Sequence, residues 1–195
     1  MKRIFDILFS LVFLTLFLPF FLVIIILIVT DSRGGAFFRQ IRVGKNEKTF
    51  KLWKFRTMRP MSEASGQITV GMRDPRITNI GYFLRKYKLD ELPQLINILV
   101  GEMSVVGPRP EVPKYVSLYN ETQKKVLSVR PGLTDYASID FVNENEILAK
   151  SENPEQTYID EIMPLKLNLN LKYINEMGLA TDFKIIFGTI KAIFK

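Results

Sequence analysis

Cysteine and histidine are both absent from the 195 residues. Without cysteine there is no disulfide, no thiolate metal site and no cysteine nucleophile. Without histidine, Ser-His-Asp and Cys-His catalysis are excluded, as is any zinc site that needs imidazole. Proton transfer and nucleophilic attack would fall to Asp, Glu, Lys, Tyr, Ser or Thr. Charge is missing in one place: residues 7–29 are 23 positions without an ionisable group, interrupted only by Ser10, Thr15 and Pro19.

As a straight helix, residues 7–29 would be roughly 35 Å long, enough to cross a hydrocarbon core of about 30 Å. The run is too long for a signal peptide, and no small-residue cleavage site follows it. Pro19 removes a backbone hydrogen bond in mid-segment and predicts a kink. Both flanks are basic, with Lys2 and Arg3 before and Arg33, Arg39, Arg42 and Lys45 after, which fits two ends on the same, cytoplasmic side. A bent re-entrant helix and a tilted full span both satisfy the length; the kink and the flanks favour the former.

The charge lies in the middle of the chain. Residues 31–100 carry fourteen cations against six acids, whereas 101–195 carry eleven against thirteen. Such a basic segment implies an anionic partner: nucleic acid, lipid headgroup or phosphorylated small molecule. Residues 36–41 (AFFRQI) and 49–58 (TFKLWKFRTM) read as strands joined by a turn at Val43-Gly44-Lys45-Asn46-Glu47. Lys54 and Arg56 on the second strand are either a solvated edge or part of an anion-binding wall. Trp53 suits the headgroup level of a bilayer. Residues 61–73 are polar and small and read as a mobile loop.

Thr78 is placed to cap a helix over 79–86, with Ile80, Phe83, Leu84 and Tyr87 on one face. A second helix is predicted from Asp90 as N-cap, with Glu91 in its first position, Pro93 in its first turn and Gly101 ending it. Locally, Asp90 and Glu91 are a helix cap and a first-turn acid. The same helix end would keep Asp90 ionised and draw a phosphate toward it. Arg109 stands between Pro108 and Pro110, which limit the entropy its planar fork loses on binding a phosphate. Such a turn is also often only a turn.

These residues resemble the bacterial sugar transferases, small monotopic phosphoglycosyl transferases. The matching pieces are Lys2-Arg3-Ile4-Phe5-Asp6, mid-segment Pro19, Gln40-x-Arg42-x-Gly44, Lys54-Phe55-Arg56-Thr57-Met58, and Asp74-Pro75-Arg76-Ile77-Thr78. They continue with Leu89-Asp90-Glu91-Leu92-Pro93-Gln94-Leu95, Gly101-Glu102-Met103-Ser104, Pro108-Arg109-Pro110 and Pro131-Gly132-Leu133-Thr134. The resemblance implies transfer of a sugar 1-phosphate from a UDP-sugar to polyprenol (undecaprenyl) phosphate, with release of UMP, to start membrane-linked glycan assembly. It implies Asp90 as nucleophile and Mg²⁺ ligand, and Glu91 as base or orienting acid. Arg109, Pro108 and Pro110 would contact the nucleotide, Arg85 would contact phosphate, and Lys54 and Arg56 would add substrate contacts.

The implied fold is α+β and mostly helical, with a re-entrant membrane helix over 1–30. A cytosolic, membrane-associated catalytic domain would occupy 31–195, with interfacial amphipathic helices and a short β element. Partners would be the nucleotide sugar, polyprenol phosphate and the bilayer, with no nucleic acid and with a homodimer allowed. The place would be the cytoplasmic face of the bacterial inner membrane. Two departures stand out. The family breaks its membrane segment at Ser-Pro, here Leu18-Pro19, and many members read Gly-Trp-Ala-Gln where this chain has Asp135-Tyr136-Ala137-Ser138. A non-enzymatic membrane-anchored basic scaffold for anionic lipid or nucleic acid would also explain the charge, but it gives Asp90, Glu91 and Arg109 no joint task.

Toward the C-terminus, 114–126 reads as a helix and 143–160 as an acidic helix over solvent. Residues 163–172 (MPLKLNLNLK) alternate like a strand, although the resemblance implies a helix at the membrane. Residues 182–195 place Phe183, Ile186, Phe187, Ile190 and Phe194 on one face, as in an interfacial or a core helix.

Overall fold

The computed structural model describes residues 1–60, 62 and 74–194, so the loop expected over 61–73 lies, except for Ser62, outside the described residues. The expected α+β, mostly helical architecture is present. Helices α1 (Lys2–Leu16) and α2 (Leu18–Asp31) precede an antiparallel hairpin of β1 (Phe37–Val43) and β2 (Thr49–Phe55). Helix α3 (Asn79–Lys86), a 3-10 turn at Leu89–Glu91, α4 (Gln94–Val100) and β3 (Ser104–Val106) follow. Next come α5 (Pro113–Val116), a 3-10 turn at Gln123–Ser128, and β4 (Gly132–Thr134), which pairs in parallel with β3. The rest is helical: α6 (Tyr136–Asp140), α7 (Glu144–Ala149), α8 (Pro154–Thr157), a π-turn at Tyr158–Ile162, α9 (Met163–Asn175) and α10 (Leu179–Ile193).

The apolar segment is broken where Pro19 predicts it. Pro19 falls in the first turn of α2, where its missing N–H costs little, and the axes of α1 and α2 are bent by 63°. Among the described residues no single helix is long and apolar enough to cross a membrane; α1 and α2 reach that measure only together. Both far ends of the pair are tied to the same body. At the start of α1, Lys2 Nζ donates to Asp182 (2.6 Å) and Tyr173 (3.0 Å), and Arg3 donates to the carbonyls of Ile98 and Leu99 at the end of α4. Buried Asp6 accepts from Ser104 Oγ (3.0 Å) and from the Val105 N–H (2.9 Å) of β3. At the end of α2, Asp31 accepts from the Ile80 N–H at the start of α3 (3.0 Å).

Locally encoded elements form as expected. Thr78 caps α3 by accepting from the Gly81 N–H (3.0 Å), and Gly101 ends α4 in the left-handed region at φ 98°. Phe50 and Leu52 point inward from β2. The Gly107–Pro110 turn rests on Gly132, where any Cβ would stand 2.1 Å from the Gly107 nitrogen. Helix α10 buries Ile185 and leaves Phe183, Phe187, Ile190 and Phe194 exposed, so most of the expected face is not core.

Three expectations are corrected. Residues 163–172 are helical despite their alternation. Pro164 sits in the first turn, and Met163, Leu167, Asn170 and Tyr173 make the buried stripe at helical spacing. The helix expected over 114–126 is instead α5 and a separate 3-10 turn, because Asn120 and Gln123 bond each other's backbone N–H reciprocally (2.9 Å each). Residues 143–160 divide between α7 and α8, with Asn153 capping the second ahead of Pro154. Replacing Asp6 with Ala strands the Val105 N–H and the Ser104 hydroxyl in the core. It should cost about 2 kcal/mol of stability, read from denaturant midpoints in detergent, with Asp6→Asn costing less; an unchanged midpoint in the Ala variant would contradict the tether.

Candidate active site

Lys88 enters the site in the left-handed region (φ 55°), and the chain then turns through Leu89–Glu91. Bonds of the i to i−3 kind run on, from Leu92 to Leu89 and from Ile96 to Pro93, so α4 begins only at Gln94. The expected cap is therefore absent: Asp90 accepts no N–H of α4, and Glu91 is not its first residue. The seven-residue helix does not hold Asp90 ionised. Burial pushes the Asp90 carboxyl above its ordinary value, with Lys54 pulling it back and Glu91 adding to the rise.

The two adjacent acids are both buried, yet they are treated differently. Glu91 Oε1 accepts from Lys54 Nζ (2.9 Å) and from Arg109 Nη2, and Oε2 accepts from Arg109 Nη1 (3.0 Å). Burial alone would raise the Glu91 carboxyl; Arg109 first and Lys54 second outweigh it and hold the group well below its usual value. Asp90 accepts no hydrogen bond and makes no ion pair among the described residues, and it lines a cavity of about 630 Å³. One carboxylate is locked and its neighbour is left for chemistry.

Each cation of the cradle is placed by a different element. Lys54 shares the inward face of β2 with Phe50 and Leu52, so it is not a solvated edge, and burial lowers its pKa. Arg109 is presented by a turn in which Pro108 O accepts from the Gly132 N–H (2.9 Å) and Pro110 O from Arg42 (3.0 Å). Arg85 from α3 lines the same cavity and feels the Asp90 charge. Arg76, bonded through Nε and Nη2 to Asp74, lines it too.

Arg56 also lines the cavity, but its guanidinium is committed to the backbone. Its three guanidinium nitrogens donate to the carbonyls of Ile28, Ser32, Arg33, Gly34 and Gly35. That buried cation caps the end of α2.

Two further groups were not singled out from the sequence as site residues. Arg42 lines the cavity and is fixed by Gln40 and Glu111. Asp135 is fully buried directly behind the arginine turn: Oδ2 accepts from the Arg109 N–H (3.2 Å), while Oδ1 caps α6 by accepting from Ser138 N (2.7 Å) and Oγ (2.5 Å). The spacing of Asp135 and Ser138 is a readable N-cap signal, but nothing local links it to Arg109. Among the described residues, no group of three His, Cys, Asp or Glu side chains converges on a metal position. A single uncommitted carboxylate facing a cavity suits a hydrated Mg²⁺ shared with phosphate oxygens rather than an all-protein cage.

The whole chain, residues 1–195, matches the family model described as bacterial sugar transferase. The chain belongs to the bacterial sugar transferase family. Relatives within it include the UDP-glucose:undecaprenyl-phosphate glucose-1-phosphate transferase of Escherichia coli K12, 35% identical over 97% of this chain and 39% of that protein. The galactosyl transferase CpsE of Streptococcus agalactiae is 41% identical over 82% of this chain and 35% of its own length. The exopolysaccharide production protein PSS of Rhizobium leguminosarum is 37% identical over 97% and 93%. The chain thus spans little more than a third of the first two relatives and nearly all of the third.

Replacing Glu91 with Gln leaves half-buried Lys54 and Arg109 without their counter-charge and should cost about 2 kcal/mol at neutral pH, less than a fully buried pair because Arg109 is partly solvated. Because the folded carboxyl lies below the ordinary 4.5, its stabilisation is present above that value and is lost as pH falls through the folded one. Denaturant midpoints across acid pH should show this slope in the wild type and not in the Gln variant.

Proposed function

We propose that the chain transfers a sugar 1-phosphate from a UDP-sugar to polyprenol phosphate through a covalent phosphosugar intermediate on Asp90, releasing UMP and starting a membrane-linked glycan. The observation that carries this reading is the asymmetry of the acidic pair: Glu91 is saturated by Arg109 and Lys54, whereas Asp90 is free and faces the cavity. Two relatives, an undecaprenyl-phosphate glucose-1-phosphate transferase and a galactosyl transferase, support it.

An Asp90 oxygen attacks the phosphorus that carries the sugar, the bond to the nucleotide phosphate breaks, and UMP leaves with the bridging oxygen. A phosphate oxygen of the acceptor then attacks the same phosphorus. The Asp90–phosphorus bond breaks, restoring the carboxylate and giving the polyprenyl diphosphate sugar. The acceptor phosphate has its second pKa at about 6, so it is largely a dianion at neutral pH and needs no strong base. Glu91, already charged and fully bonded, orients Arg109 and Lys54 rather than taking a proton. Lys54, Arg85 and Arg109 stabilise charge that develops on the phosphoryl oxygens. Asp90 would hold Mg²⁺ together with donor phosphate oxygens; bound there, the ion supplies the neutralisation that lets carboxylate and diphosphate approach.

On the same reading, α1 and α2 form a re-entrant wedge at the cytoplasmic face of the bacterial inner membrane. Two limbs of about 20 Å bent by 63° place the bend roughly 10 Å beyond the line joining their ends, far short of a hydrocarbon core of about 30 Å. The ties at Lys2, Arg3 and Asp6 and those at Asp31 and Arg56 keep both ends on the catalytic side.

The test is UMP release from a panel of UDP-sugars with undecaprenyl phosphate and Mg²⁺. The wild type should release UMP with one or more of them, and Asp90→Asn should lose about 10³-fold or more in rate. Full activity in the Asn variant would remove Asp90 as nucleophile.

A further inference from the structure

The transferase reading requires an acceptor whose phosphate reaches Asp90 while its long isoprenoid chain stays out of water, and the cavity is shaped for both ends. Helices α1 and α10 are pinned together at their first turns, where Lys2 meets Asp182 (2.6 Å) and Phe5 meets Phe183 edge to face (5.3 Å between centroids). Beyond the pin they line the same cavity, α1 with Phe9 and Phe13 and α10 with Ile186, Ile190 and Ile193. The three isoleucines fall at i, i+4 and i+7, one face of a helix, and the two phenylalanines at i and i+4. The α1 stripe continues as a ladder: Phe5, Phe9, Phe13 and Phe17 follow one another with centroids 5.7, 4.3 and 5.5 Å apart, and Phe17 is at the bend. Thr189, the one polar side chain in this part of α10 that lines the cavity, has its hydroxyl spent on Thr134 (2.5 Å) and on the Ile185 carbonyl (2.9 Å).

Resting on that reading, we propose that the trough between α1 and α10 holds the isoprenoid chain of the phosphate acceptor. The chain's phosphate end lies at Asp90 among Lys54, Arg85 and Arg109, and its tail follows the phenylalanine ladder to the α1–α2 bend. Two observations select this occupant. The trough is continuous with a cationic cradle, so it takes a ligand that is anionic at one end and apolar along its length. Its apolar side also runs on from the cradle along α1, where the phenylalanine ladder reaches the bend, which offers an elongated apolar chain contact along its length. Exposed Ile190 and Phe187 stand at the open edge of α10, where a chain would enter sideways from lipid instead of threading end-on.

The full chain in lipid nanodiscs is treated with a polyprenyl phosphate that carries a diazirine on its tail. Label should map to peptides holding residues 9–13 and 186–193 and be displaced by undecaprenyl phosphate, but not by excess phosphatidylglycerol. Label elsewhere, or equal displacement by the phospholipid, overturns the proposal. As a second reading, Phe13→Trp and Ile190→Trp fill the trough. They should lower the ratio of kcat/KM for undecaprenyl phosphate over geranyl phosphate by about tenfold, the loss expected when about two methylenes of burial are denied. The ratio compares two acceptors on one protein, so a general folding defect cancels. A ratio within about twofold of wild type in both variants counts against the trough. Photolabelling needs no turnover, so a wild type that releases no UMP removes the transferase reading while the trough is still judged by its label.

Discussion

Two carboxylates at consecutive, buried positions repel each other and lose hydration, so they persist only if one of them is neutralised in place. Arg109 and Lys54 do this for Glu91, and much of the fold serves to deliver those two cations. Lys54 is aimed by the inward face of a hairpin strand. Arg109 is held by a turn whose backbone is pressed against Gly132 and backed by the buried Asp135. The parallel pair of β3 and β4 exists for three residues each, long enough to fix that turn. With Glu91 satisfied, Asp90 is left facing the cavity, its carboxyl raised by burial and pulled back by Lys54, which it does not bond.

The bent apolar pair α1 and α2 obeys the same logic of fixed ends. Lys2 and Arg3 look from sequence like a flank that sets topology, but they, and Asp6 beside them, are spent on named partners in the rest of the fold. Arg56 does the equivalent at the other end of the bent pair. The wedge and the site are therefore one unit. β3, which receives Asp6 at Ser104 and Val105, runs directly into the turn that carries Arg109.

Local signals were legible and non-local ones were not. The Thr78 cap, the hairpin turn at residues 43–47, the Pro19 break, the Gly101 stop and the apolar face of α10 depend on neighbours within a turn or two, and all form. Asp90 looked like a cap because Asp-Glu-x-Pro commonly opens a helix; Pro93 and the 3-10 turn instead delay the helix to Gln94. Alternating leucines in α9 mimicked a strand because their period was read without the tertiary surface that buries Leu167 and Tyr173. Arg56 shares a face with Lys54 by the period of two, but it lies just past the end of β2, where its guanidinium is taken up by the carbonyls that end α2. The bond from Asp135 to the backbone of Arg109 spans 26 positions, a distance that no local pattern reports.

The central claim is that the asymmetry of the acidic pair assigns the covalent step to Asp90. The most direct measurement is rapid-quench peptide mapping of the wild-type chain after exposure to its UDP-sugar and Mg²⁺ with acceptor withheld. The account predicts a phosphosugar mass on the peptide bearing residues 89–95, localised to Asp90 and discharged when polyprenol phosphate is added. Modification of Glu91 instead, or transfer of the sugar phosphate to an added acceptor with UMP release and no adduct on either carboxylate, would contradict it.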